Sequence, residues 1–320
     1  MYKRLIFTLT PKTAFATPLV GDTLFGQCCW VIRHILSAEK LTEILTGYTD
    51  HKPFMVMSDA QPKGYLTRPS VPAELLGFEQ DAKQRKSQKA KKWFPESVLT
   101  QPLNEWEAAA LTEQDMLAQQ QLSGHYLINQ AQDHNSLNRQ TGTTGKGEGF
   151  APFQRQTYWY HPDIQLSLIV ELDTARLTAE ELTEALNWIG FNGYGKEASC
   201  GLGKFTVEPA PVTDVITVEN PNAWLTLAAC APQNLSWHTQ RCYYQTVTRF
   251  GRHGDKAVHQ RGGAFKNPVL MAATGAILTP KDLAISHGFT GQGLTGVSRT
   301  ITATVQQGYA PVYPVRLEVN

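Results

Sequence analysis

The hydrophobic pattern of the chain opens with a period of two. Leu5, Phe7 and Leu9 alternate with Arg4, Ile6 and Thr8, which predicts a first strand ending at Pro11. The period then lengthens. Leu24, Phe25, Cys28, Cys29, Ile32, Ile35 and Leu36 recur at helical spacing behind Gly21-Asp22-Thr23, where Asp22 or Thr23 is positioned to cap the first free amides. FMVMSDA reads as a short strand set among four prolines between Lys52 and Pro72, and the rest of that stretch reads as irregular loop, since proline cannot serve a central ladder. Residues 131–149 hold four glycines and three threonines and are the most loop-like run in the chain; aromatics return directly after it in FAPFQRQTYWY. A strand follows, with Ile164, Leu166, Leu168, Val170 and Leu172 on one face. Then comes a helix with a Thr178-to-Glu181 capping box and an apolar stripe of Leu182, Ala185, Leu186 and Ile189. GFNGYGKEASCGLG leads into the short strand KFTVEP, and this rhythm of strand, helix, glycine-rich turn and strand predicts an α+β fold. Beyond Pro209 and Pro211 the segments WLTLAA, YYQTVTRF, PVLMAATGAIL and YAPVYPVRLEV predict strands, with GRHGDKAVHQRGG and ISHGFTGQGLTG as loops. The helical signal there is weak, so a second, sheet-rich unit is expected beyond a boundary near residue 210.

The 320 residues suffice for two domains with cores of their own. Net charge is +1, from 29 Lys and Arg against 28 Asp and Glu, which excludes a polycation that binds nucleic acid by bulk charge but leaves local patches open. One such patch is Lys83, Arg85, Lys86, Lys89, Lys91 and Lys92, followed by residues 93–120 with Glu96, Glu105, Glu107, Glu113 and Asp115 and no Lys or Arg. That segregation fits either a basic contact beside an acidic helical face or a solvated insertion with a flexible basic tip. Cys28, Cys29, Cys200, Cys230 and Cys242 contain no CxxC pair, which points to reduced, mostly buried thiols and away from structural zinc. No apolar run approaches the roughly 18 residues of a membrane span, and the first residues lack a signal-peptide core, so a soluble cytoplasmic protein without membrane contact is expected.

The sharpest local feature is the cluster GYGKEASCGLGKF, in which Gly193, Gly195, Gly201 and Gly203 bracket Lys196, Ser199 and Lys204. Glycine lets a backbone approach a phosphate or take positive φ, and neighbouring lysines can hold an anion. The cluster follows a helix and is neither a dinucleotide-binding fingerprint nor a P-loop, so a phosphate-backbone contact, a structural turn and a nucleotide-cofactor site remain as readings. Arg241, Arg249, Arg252, Lys256, Arg261 and Lys266 form a second basic group, opposed only by Asp255. Tyr243, Tyr244, Phe250 and Phe265 are interleaved with it, which suits stacking on single-stranded nucleic acid or, alternatively, a charged loop over aromatic core residues. His253 and His259 lack metal-ligand spacing. For catalysis, His134 beside Asp133 can serve as a general base in RNA cleavage, with Lys146 or Arg139 stabilising the charge, but nothing fixes a second acid or a nucleophile. Hydrolase elbows, HExxH and paired metal carboxylates are absent. No catalytic residue and no cofactor is therefore assigned.

The segments GDTLFGQCCWVI, FMVMSDAQPKGYLTRP, HNSLNRQTGTTGKGEGFAPF, GYGKEASCGLGKF, RGGAFKNPVLMAATGAIL and GYAPVYPVRLEV, taken in order, resemble the RAMP superfamily of CRISPR effector proteins. The closest resemblance is to the subunit that caps the crRNA 5′ end in type III-A (Csm) complexes. It implies two ferredoxin-like, RRM-related domains with helical and loop insertions: residues 1–210, with an insertion at about 75–150 and the glycine-rich loop at 190–203, and residues 211–320. It implies crRNA, a large polymerase/cyclase-like Cas subunit and a repeating RAMP backbone subunit as partners. By the same resemblance Gly193, Tyr194, Gly195, Lys196, Ser199, Gly201 and Gly203 lie near the RNA backbone. His134, Asn135 and Arg139 lie near the handle or a neighbouring subunit, and Arg261, Gly262 and Gly263 match the Arg-Gly-Gly segment. Lys204, Arg249 and Arg252 complete the expected RNA-binding set. The rival expectations are a RAMP-type endoribonuclease with His134 as base, and an interaction protein without direct RNA contact.

Overall fold

Alternation in the first residues produces β1 (Tyr2–Pro11), and the helical period behind it produces α1 (Gly21–Ile35), then α2 (Ala38–Leu45) and β2 (Met55–Met57). The computed structural model describes residues 1–79, 81, 83–144, 151–211, 216–233, 235–254, 258–259, 263–282 and 288–318. Over residues 58–165 the chain leaves the first sheet except for β3 (Gln61–Pro62), which touches its edge. This excursion carries β4 (Tyr65–Thr67), α3 (Arg85–Ala90), β5 (Trp93–Pro95) and α4 (Glu113–Gln119). It ends in a two-stranded ribbon, β6 (Leu127–His134) and β7 (Phe153–Tyr160). The chain then returns as β8 (Leu166–Asp173), α5 (Ala179–Asn192) and β9 (Phe205–Ala210). The resulting sheet has the order β2-β8-β1-β9 with antiparallel neighbours, and Phe7 faces Leu168 while Leu9 faces Val207.

Four sequence expectations change here. The cap of α1 is neither Asp22 nor Thr23: the helix begins one residue earlier, behind Val20, and the Gly21 amide donates to the Asp59 carboxylate at 2.8 Å. The run 131–149 is not loop throughout, because residues 131–134 continue β6, whose polar side chains stand exposed on a ribbon that needs no core. β8 is buried on both faces. Leu168, Val170 and Leu172 pack with α1 and α5, while Ile169 joins a second core with Phe94, Leu103 and Trp106. Finally, ISHGFTGQGLTG is not loop throughout: it contains β14, below.

The second half of the chain supplies β10 (Ala223–Thr226), β11 (Thr246–Arg249), β12 (Val269–Ala272), β13 (Ile277–Leu278), β14 (Phe289–Leu294) and β15 (Gln306–Val315). Its main layer runs β13-β10-β15-β14, and β11 and β12 form a separate antiparallel pair. No α-helix occurs among the described residues beyond 210. Glycine makes β14 possible as a strand, since a Cβ on Gly293 would lie 2.5 Å from the Tyr48 carbonyl.

The two sheets interlock through polar groups. Gln307 receives the Met57 amide and donates back to the Met57 carbonyl, both at 2.8 Å, which closes the free edge of β2. Arg4 pairs with buried Glu171 and donates to the Val312 and Gly288 carbonyls. Cys28 and Cys230 are buried, Cys29 and Cys242 half-buried and Cys200 exposed, all as free thiols. Burial pushes the Cys29 and Cys230 thiols up to about 12. Among the described residues no helix is long and apolar enough to cross a membrane.

Candidate nucleic-acid interface

The glycine-rich turn between α5 and β9 is held by its neighbours rather than by its own sequence. Gly193, Gly195, Gly201 and Gly203 all have positive φ, and so does Glu197. Tyr194 is fully buried; its hydroxyl donates to the Pro18 carbonyl at 2.8 Å and accepts from the Val20 amide at 3.1 Å. The Gly195 amide donates to the Gln27 side chain, the Lys196 amide to Thr17 Oγ1 and the Lys204 amide to Thr13 Oγ1. Gly203 donates to the Ala14 carbonyl. These amides are therefore consumed by α1 and by the segment that links β1 to it, and the turn is preformed. Gly193, Tyr194 and Gly203 are buried and set its shape, while Lys196, Ser199 and Gly201 form its exposed rim and Lys204 is half-buried against the Phe191 ring.

The ribbon β6–β7 rises beside this turn. Its base is tied to the β1–α1 link, where Phe15 and Tyr158 exchange backbone hydrogen bonds of 2.9 and 2.7 Å. Arg155 reaches Glu197 of the glycine-rich turn at 3.0 Å. His134 closes β6 with its ring stacked on Phe153, centroids 5.4 Å apart, and its Nε2 is buried without a hydrogen-bond partner. Asn135 and Arg139 lie exposed toward the ribbon tip. Sequence separation notwithstanding, Arg155 joins the ribbon that carries His134 to the glycine-rich turn.

Arg249 and Arg252 divide. Arg249 pairs with Asp22 of α1 at 3.2 Å, and burial raises the Asp22 carboxyl while the Arg249 charge opposes that shift. Arg252 is exposed and lies over the Phe265 ring, next to exposed Phe250. Gly263 is exposed and its carbonyl accepts from the Thr300 hydroxyl. Arg261 and Gly262 lie outside the described residues, as do Lys146 and Lys256.

Next to the glycine-rich turn, on the other side of the Pro18–Val20 segment, a cleft of about 620 Å³ opens between the excursion and the second sheet. Asp59 lines it, with Oδ1 accepting from Gly21 and Oδ2 accepting from Thr274. Burial pushes the Asp59 carboxyl up to about 6 against those two hydrogen bonds. Lys89, Lys92, Trp93, Tyr126 and Tyr160 line it as well.

No family model matches the sequence, and no curated protein matches it. Solved structures do. A chain of the Csm3-Csm4 subcomplex in the type III-A CRISPR-Cas interference complex superposes with a TM-score of 0.60 at 10% identity, covering 98% of this chain and 99% of that one. A chain of the Csm1-Csm4 cassette in complex with pppApA gives 0.57 at 14% identity, and one of the cassette in complex with AMPPNP gives 0.56 at 15%, each with 99% of both chains covered. This chain shares their fold.

The structure ties the ribbon that carries His134 to the glycine-rich turn through Arg155, and it sets Arg252 and Gly263 on the C-terminal half. The residues that sequence reasoning missed are Asp59 and the aromatic wall. The basic run at 83–92 was visible, but nothing local revealed that Lys89 and Lys92 line one cleft with residues 59 and 274. Asp59 carries only a faint signal, an acid at the end of an apolar strand.

Proposed function

We propose that the chain is the non-catalytic, cytoplasmic RAMP subunit of a type III CRISPR ribonucleoprotein, where it binds the 5′ handle of crRNA and joins a large polymerase/cyclase-like subunit to the repeating backbone subunit. One observation carries this reading: the end-to-end fold likeness extends to chains from both a Csm1-Csm4 cassette and a Csm3-Csm4 subcomplex. The component common to those two assemblies is Csm4, which has a different neighbour in each, as a joining subunit must. The order β2-β8-β1-β9, threaded as strand, helix, two strands, helix, strand, supports a ferredoxin-like unit over residues 1–210, with the insertion expected at about 75–150 lying inside the longer 58–165 excursion; residues 211–320 are assigned as a second, sheet-rich unit, which lacks the two helices of a ferredoxin-like fold among its described residues.

RNA contacts are assigned to the exposed rim of the glycine-rich turn, Lys196, Ser199 and Gly201 with Lys204 beside it, and to His134, Asn135 and Arg139 on the ribbon. Arg252 and Gly263 add a C-terminal contact, together with Arg261 and Gly262. Gly193, Tyr194, Gly195, Gly203 and Arg249 shape and brace that surface. A rigid turn with a cationic rim suits an RNA strand whose phosphates need positioning while its bases stay splayed. His134 is poorly disposed as a base at Nε2, because that nitrogen is covered and its ring is stacked, so proton abstraction there would require the ring to leave Phe153.

The test is crosslinking with mass spectrometry on the natively purified protein and its co-purifying subunits. Repeat-derived 5′ handles crosslinked to residues 134–139 and 196–204, together with a large and a repeating subunit, are the expected result. An RNA-free chain that brings down neither subunit overturns the reading, and metal-independent cleavage of a repeat transcript that is lost in His134→Ala replaces it with the nuclease.

A further inference from the structure

We propose that the cleft beside the glycine-rich turn is a separate RNA subsite that seats an unpaired nucleotide, with phosphate at Lys89 and Lys92 and a guanine edge at Asp59. The proposal rests on the RNA-binding reading above but uses none of the residues assigned there.

The cations come first. Lys89 and Lys92 both line the cleft and have no acidic partner among the described residues, whereas the intervening Lys91 is paired with Glu107. Arg68 also lines the cleft, but its guanidinium is engaged: it donates to the Gln88 and Lys91 carbonyls and lies over the Phe78 ring. Arg68 thus fixes the backbone from which both lysines project. Two ammonium groups without an acidic partner in one cleft concentrate anions, and phosphate is the anion an RNA strand supplies.

The walls and floor select what accompanies that phosphate. Trp93, Tyr126 and Tyr160 make consecutive edge-to-face contacts at 5.2 and 5.7 Å, which fixes an aromatic wall of the kind that receives a base. The Asp59 carboxylate offers about four lone-pair directions, and Gly21 and Thr274 occupy one on each oxygen. A second acceptor remains on each oxygen. Guanine is the base whose pairing edge presents two adjacent donors, N1–H and N2–H, to two such acceptors; uracil presents one donor between two carbonyls that a carboxylate repels. An acidic peptide would bring its charge against Asp59 and leave the aromatic wall unused. The volume, about 620 Å³, falls within the roughly 300–1,000 Å³ of small-ligand sites.

The full-length protein is titrated by fluorescence anisotropy with short oligouridine probes that carry, or lack, one terminal guanosine. The guanosine probe is expected to bind about tenfold more tightly, as one well-made base contact predicts. Asp59→Asn keeps an acceptor for the Gly21 amide and is expected to erase that preference while leaving oligouridine affinity unchanged. Lys89→Glu with Lys92→Glu is expected to weaken both probes and lower the salt slope by about 1.4, from roughly 0.7 per lost single-strand phosphate contact. This pair is solvent-exposed, so it tests the cleft even if Asp59→Asn fails to fold. Equal wild-type affinity for the two probes overturns the guanine assignment, and displacement of the guanosine probe by oligoglutamate replaces RNA with an acidic peptide. If charge reversal at Lys89 and Lys92 changes nothing while Lys196→Glu still weakens RNA binding, the cleft is not a subsite and the handle-binding reading stands. Absence of binding to any probe or to co-purified crRNA removes both.

Discussion

Gly203 and Gly201 both sit at positive φ, yet their surroundings differ. A Cβ on Gly203 would lie 2.2 Å from the Tyr194 carbonyl oxygen, inside a buried turn, whereas a Cβ on Gly201 would meet open space. Gly201→Ala is expected to cost only the left-handed backbone strain, about 1–2 kcal/mol, and Gly203→Ala clearly more, because Tyr194 must also move. Urea denaturation of the two variants checks the order. Asp59 gives a second prediction. Its folded carboxyl is held above its ordinary 3.8, at about 6, so the folded state binds the proton more tightly than the unfolded chain does. The resulting penalty is fully present above about pH 6 and is relieved as pH falls toward 3.8. Asn cannot titrate, so the Tm of Asp59→Asn minus that of the wild type should shift against the variant between about pH 7 and about pH 5. An unchanged difference would mean that Asp59 titrates normally.

α5 and the ribbon show two ways of fixing an element. Thr178 and Glu181 make a reciprocal capping box, with the Glu181 amide donating to Thr178 Oγ1 and the Thr178 amide donating to Glu181. Thr178→Ala should cost about 1 kcal/mol of global stability by chemical denaturation. The ribbon β6–β7 has little core of its own and is latched by Arg155 to Glu197 and by Phe15 to Tyr158. Arg155→Ala is expected to speed amide exchange over β6 and β7 while leaving the midpoint of global unfolding nearly unchanged. Loss of global stability instead would show that the ribbon folds with the core. The capping box was readable in four consecutive residues, because both partners lie within one turn. The cap of α1 was not, because its acceptor is Asp59, 38 positions away, and a local rule must then favour the adjacent Asp22.

Taken as one body, the molecule depends on polar seams between its two sheets. Glu171 is buried against Arg4, whose other donors serve carbonyls of the second sheet. Removing the carboxylate strands a guanidinium in that seam, so Glu171→Ala should destabilise by about 3 kcal/mol or more. The double variant with Arg4→Met should recover part of the loss, and a double-mutant cycle by denaturant unfolding measures the coupling.

Periodicity alone sufficed for β1, α1, β8 and α5, for the α+β class, and for the glycine-rich turn as a conspicuous feature, because each of these is written in residues within a few positions of one another. Packing of the whole chain decided the rest. β14 became a strand because its glycines let it approach Tyr48 and β15, and β8 was covered on its second face by the 58–165 excursion. The glycine-rich turn acquired its shape from Thr13, Ala14 and Thr17, and its neighbour Arg155 from a ribbon forty positions earlier. The cleft joins residues 18, 59, 92, 160 and 274, and no local pattern encodes it, since a hydrogen bond or a shared cavity depends on distance in space and carries no trace of separation along the chain.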